Sequence, residues 1–130
     1  MCIASESQTE NVKPGTKCVL IGWGKTSTSS DYAQILQEVA VPIVDTNQCF
    51  QKYKDQIDPK TSICAGSEEG GIGGCGGDGG GPLMCKMENS QWCQIGIAST
   101  IYPCALPGKP DVYTRVSSFH DWMGEIMSSN

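Results

Sequence analysis

Eight cysteines in 130 residues constrain this chain more than any other feature. They stand at 2, 18, 49, 64, 75, 85, 93 and 104, wide apart and at irregular intervals. A zinc site would need closely paired ligands of the Cys-x-x-Cys kind, which are absent, and the single histidine, His120, adds little. No metal and no cofactor are therefore expected. An even number of scattered cysteines reads instead as a disulfide framework built in an oxidising compartment, with connectivity that spacing alone leaves open. The expected location is extracellular, as a secreted protein. Met1-Cys2-Ile3-Ala4-Ser5 carries neither the basic start nor the apolar run of a signal peptide. The expectation is that Met1 is not the biological start, or that the chain is a fragment or truncated product.

A chain of this length fits one domain with a real core. Sixteen glycines, 18% charged residues and 7% aromatics suit a loop-rich β protein better than a helical bundle. A formal net charge of −5, with nine basic residues scattered along the chain, excludes a nucleic-acid partner, because phosphate binding needs clustered Lys and Arg. No apolar stretch approaches the ~20 residues of a membrane span.

Periodicity and turn residues outline the elements. Lys17–Gly24 reads as a strand closed by glycine, 25–32 as a polar loop, and 36–44 as an edge or bent strand because of Pro42. Asp45 or Thr46 is placed to cap a helix running through Tyr53, with Cys49 on its inner side. Further strands are expected at 61–65, 81–86, 92–99 and 110–116. Phe119, Trp122, Met123, Ile126 and Met127 recur at helical spacing after Ser117 or Ser118 as N-cap, so a core-facing terminal helix is expected. Short strands, turns and one closing helix point to a small β-barrel. Residues 71–76 fit Gly-x-Gly-x-x-Gly, but Pro82 and a strand follow where a dinucleotide site needs a helix.

The segment Gly-Asp-Gly-Gly-Gly-Pro-Leu at 77–83 carries the chemistry that can be read. It resembles the Gly-Asp-Ser-Gly-Gly-Pro-Leu loop of trypsin/chymotrypsin-like serine proteases, with glycine in place of the nucleophile. Cys18-Val19-Leu20-Ile21-Gly22-Trp23-Gly24, Ser62-Ile63-Cys64-Ala65-Gly66, Trp92–Ser99 and Pro110–Val116 resemble other segments of the same family, in the same order. The likeness covers about Cys2 to Met127 and corresponds to the carboxy-terminal half of these enzymes. The tail and the 104–107 region are nearest to enteropeptidase-like or acrosin-like members. The resemblance implies an all-β, six-stranded antiparallel Greek-key barrel, the second barrel of the trypsin-like fold, with a carboxy-terminal amphipathic helix. Its bounds would be a linker at 1–16, the barrel at 17–116 and the helix at 117–128.

The same resemblance implies the site. Gly79 stands at the nucleophile position, Gly77 supplies an oxyanion-hole N–H, and Asp78 is the carboxylate that pairs with a new amino terminus after zymogen cleavage. Without that partner Asp78 is expected to be solvated or bound to another group. The 70–81 loop, with nine glycines, is expected to be mobile. Ser99 would support the triad aspartate. The specificity pocket would comprise Gly73, Gly74, Thr100, Ile101 and Asp111, with Gly73 where trypsin-like enzymes carry aspartate and Asp111 where they carry glycine. Implied disulfides are Cys18–Cys85, Cys49–Cys64 and Cys75–Cys104. Cys2 and Cys93 remain, as a bridge, as free thiols or as an interchain bond. His120, beside Asp121 on the terminal helix, reads as a solvated residue rather than a base. The implied function is that of a catalytically inactive homologue with a binding or structural role. The alternative is half of an endopeptidase whose His/Asp-bearing barrel lies elsewhere. An amino-terminal protease barrel or another protein is the expected partner.

Overall fold

In the computed structural model, residues 1–27, 29–100 and 104–129 are described. The elements are β1 (Cys2–Ile3), α1 (Glu6–Glu10), β2 (Lys17–Gly22), β3 (Gln37–Val44), α2 (Thr46–Tyr53), β4 (Ser62–Ala65), β5 (Pro82–Lys86), β6 (Trp92–Thr100), β7 (Asp111–Arg115) and α3 (His120–Ser128). Strands β2 to β7 close into a ring in the order β2-β3-β4-β7-β6-β5, antiparallel throughout. β2, β3 and β4 follow one another, and β5 returns by a long connection to lie beside β2, which is Greek-key connectivity. Closure leaves no long free edge on the barrel.

Alternation along the strands builds the core. Cys18 and Leu20 on β2, Val41 and Ile43 on β3, and Leu83 and Cys85 on β5 face inward at every second residue and are buried. Ile63, Ala65, Ile95, Ala98 and Tyr113 complete the cluster. Gly96 is where β6 comes closest to its neighbours: a Cβ there would lie 3.0 Å from Tyr113 Cβ and 3.3 Å from Leu83 Cβ. A second, smaller cluster of Cys49, Tyr53, Cys64 and Val112 fixes α2 to the barrel.

Three segments differ from the sequence reading. β3 is not an edge strand, since it lies between β2 and β4. Pro42 is tolerated because it stands where the β2 ladder ends, opposite Lys17, and the β4 ladder begins, at Ile43. Within 1–16, expected as a linker, the chain forms β1 and α1. Ser5 caps α1 through a capping box in which its hydroxyl accepts from Gln8 N–H, while the Gln8 side chain accepts from Ser5 N–H at 2.9 Å. Arg115 then pairs with Glu6 at 2.9 Å and holds its carboxyl below the usual carboxylate range.

The third difference is the terminal helix. Neither serine caps it: Val116–Phe119 forms a 3-10 turn, Ser118 donates to the Lys60 carbonyl at 2.6 Å, and α3 starts at His120 behind Phe119. No residue of α3 is buried, and Trp122 (60%) and Met127 (71%) are largely exposed. Of the side expected to face the core, Met123 is half-buried in a hollow shared with Ile3, while the other apolar residues stay largely exposed.

Four disulfides staple this frame: Cys18–Cys85, Cys49–Cys64, Cys75–Cys104 and Cys2–Cys93. The last joins β1 to β6, which pair in parallel with Cys2 opposite Cys93. This bridge spans 91 residues, so it removes much freedom from the unfolded chain. Replacing both cysteines by alanine is expected to cost about 2–4 kcal/mol in denaturant unfolding of the oxidised protein.

Candidate functional site

The glycine-rich segment is anchored to the barrel at its end. Gly80 N–H donates to the Ala98 carbonyl at 2.7 Å, and Ala98 N–H returns a bond to the Gly81 carbonyl at 2.8 Å. Two turn bonds precede them, from Asp78 N–H to Cys75 O and from Gly81 N–H to Asp78 O, each 3.0 Å. Gly79 stands at the tip. No atom lies within 4 Å of where its Cβ would be, so a side chain at 79 would enter open space.

Asp78 is half-buried and bound to backbone. One carboxylate oxygen accepts from Gly24 N–H and the other from Cys75 N–H, both at 2.9 Å. Of the two states expected for this carboxylate, the structure has the second, bound to other groups. The arrangement requires Gly22 and Gly24, because a Cβ at either position would collide with the Asp78 carboxylate. Gly77 has φ of +94°, a backbone conformation that favours glycine, and the Tyr32 ring lies against it. The sequence marks Gly22 and Gly24 only as the close of a strand and Tyr32 only as part of a polar loop, and none of the three as a site residue.

A hollow of about 210 Å³ opens beside this turn, lined in part by Gly22, Gly24, Gly73, Gly74, Cys75 and Asp78. Behind it, Asp111 is buried at 2% exposure and accepts from Gly74 N–H at 2.8 Å. A Cβ on Gly73 would lie 2.8 Å from the same carboxylate oxygen. The absence of a side chain at 73 and the presence of one at 111 are therefore a single packing solution. Tyr53, also unforeseen as a site residue, donates its hydroxyl to the Pro110 carbonyl at 2.6 Å and fixes the approach to Asp111. The Cys75–Cys104 bridge closes the neighbouring wall.

Ser99 and Thr100 lie exposed at the end of β6, where the pairing with β7 shifts register between Ala98 and Thr100. Ile101, expected at the pocket mouth, lies outside the described residues. His120 is exposed and lines a separate hollow with Ile3 and Met123, apart from the turn. Among the described residues, no three His, Cys, Asp or Glu side chains gather as a metal site. No helix described is long and apolar enough to cross a membrane.

Tyr113 stands two residues from Asp111, fully buried, and its hydroxyl has no hydrogen-bond partner among the described residues. Burial holds that hydroxyl well above the ordinary phenol range, and the Asp111 and Asp78 carboxylates add to the effect. The folded chain keeps this proton more tightly than the unfolded chain does. The linked stability is complete below about pH 10 and is lost as pH rises beyond it. Tyr113→Phe is expected to be neutral or stabilising at pH 7, since it removes an unpaired buried hydroxyl, and to flatten the alkaline loss in pH-dependent thermal unfolding. Gly73→Ala is expected to cost about 1–3 kcal/mol through overpacking, and less when introduced into an Asp111→Gly background, as a double-mutant cycle in denaturant unfolding would show.

The comparisons with known proteins agree with this geometry. The trypsin family model matches residues 1–123. The chain is 42% identical over 118 residues to an anionic trypsin of Canis lupus familiaris. That alignment covers 90% of this chain and 45% of the relative, so the chain spans about half of that protein's length. Since the family model covers nearly the whole chain and the relative is 42% identical across 90% of it, the chain belongs to the trypsin family.

Proposed function

We propose that this chain is a catalytically inactive trypsin-family domain that serves as a binding or structural module. The observation that carries the reading is Gly79: the turn around it is tied down, yet the position that must supply a nucleophile has no side chain. A hydrogen atom cannot form the acyl bond on which this chemistry depends. The only histidine in the sequence, His120, lines a different hollow and does not approach the turn as a general base. Peptide-binding features remain in this reading. They are the Gly77 and Gly79 N–H groups, the exposed Ser99–Thr100 end of β6, and a pocket of Gly73, Gly74 and Thr100 with the Asp111 carboxylate in its wall. Four disulfides support an extracellular location.

The alternative is half of a serine endopeptidase, completed by a barrel that brings the histidine and aspartate. The limited coverage of the canine trypsin and the exposure of Trp122 and Met127 on α3 favour it. The open space at 79 makes the two readings separable, because Gly79→Ser introduces a hydroxyl without a clash. The unmodified chain is expected to show no fluorophosphonate labelling and no ester hydrolysis, with or without a His/Asp-bearing barrel. Labelling of Gly79→Ser only when that barrel is supplied would favour the half-enzyme. Labelling of the unmodified chain would overturn the inactive reading.

A further inference from the structure

The turn carrying Gly77 and Gly79 is gripped by the loop between β2 and β3. Lys25 N–H donates to the Gly76 carbonyl at 2.8 Å, and Gly24 N–H donates to Asp78 at 2.9 Å, so the loop holds the turn on both sides of Gly77. Tyr32 returns to the same place, forming an antiparallel bridge with Lys25, whose ammonium lies 5.6 Å from the centre of the Tyr32 ring. The ring lies on Gly77 itself: a Cβ at 77 would come within 2.6 and 3.0 Å of two ring carbons, and 3.2 Å from Gly24 Cα.

Tyr32 is 63% exposed and belongs to neither buried cluster, so the barrel does not need it for packing. The turn does have such a need. Ordering a glycine-rich segment is entropically costly, and among the described residues no hydrogen bond takes up the Gly77 or Gly79 N–H. An aromatic ring with few rotatable bonds, laid on the glycine Cα, restricts the peptide without using either N–H.

We propose that Tyr32 is a positioning residue, which with Lys25 holds the Gly77 peptide in place and keeps the turn ordered from within the chain. Its meaning for binding rests on reading the turn as an oxyanion site, whereas its effect on the turn is measurable without any catalysis. Amide hydrogen exchange on the oxidised, full-length chain tests it. Tyr32→Ala is expected to speed exchange at the bonded amides of Cys75, Asp78 and Gly80 about five- to tenfold while β2 and β5 keep their protection. Tyr32→Phe is expected to restore the slow rate, because ring carbons and not the hydroxyl make the contact. Unchanged exchange at those amides, failure of phenylalanine to restore it, or loss of protection throughout the barrel would each overturn the proposal. Fluorophosphonate labelling of the unmodified chain would remove the inactive reading and leave this one standing.

Discussion

The Asp78 carboxylate joins two stretches of chain that the barrel alone would leave apart, and the form of the site depends on that junction. Its two oxygens accept one N–H from Gly24, after β2, and one from Cys75, at the start of its own turn. A half-buried carboxylate is costly to desolvate unless its lone pairs are used, and two charge-assisted bonds to backbone use them. Once it is there, Gly22 and Gly24 have no room for side chains, and Gly81, whose Cβ would lie 2.9 Å from the Asp78 carbonyl, has little. The turn then presents Gly79 at its tip, while bonds from Gly80 and to Gly81 lock the start of β5 onto β6.

A second exchange of volume shapes the neighbouring pocket. Asp111 reaches over the bare Gly73 to the Gly74 N–H, so a side chain on β7 fills space left by a glycine that precedes β5 in the chain. Such pairs make single substitutions misleading, because each residue is suitable only in the presence of the other. The apolar side of α3 is a different matter. It belongs to the sequence's helical periodicity, yet of its apolar residues Trp122 and Met127 stay largely exposed.

The barrel was legible because its strands alternate and its motifs occur in order. Asp45 as the α2 cap and the Cys49–Cys64 bridge behind it came from local chemistry and resemblance together. The capping box of Ser5 and Gln8 is equally local, but two polar residues in a short, polar stretch are weak signals against the appearance of a linker. Pro42 misled for a physical reason: a missing N–H excludes a residue from a ladder, but not from the point where one ladder hands over to the next. The start of α3 was displaced because Ser118 spends its hydroxyl on Lys60, a partner distant in sequence.

By itself the sequence determined the glycine at 79, the single histidine, the cysteine inventory and the alternation that makes a barrel, since these depend on residue identity and short-range period. Tertiary structure decided which cysteines meet, Cys2 with Cys93 included, and which backbone groups receive Asp78 and Asp111. It also decided that Tyr32 lies on Gly77. Apart from the local Cys75–Asp78 bond, each of these depends on the fold bringing distant segments within a few ångströms, a distance that no local pattern encodes.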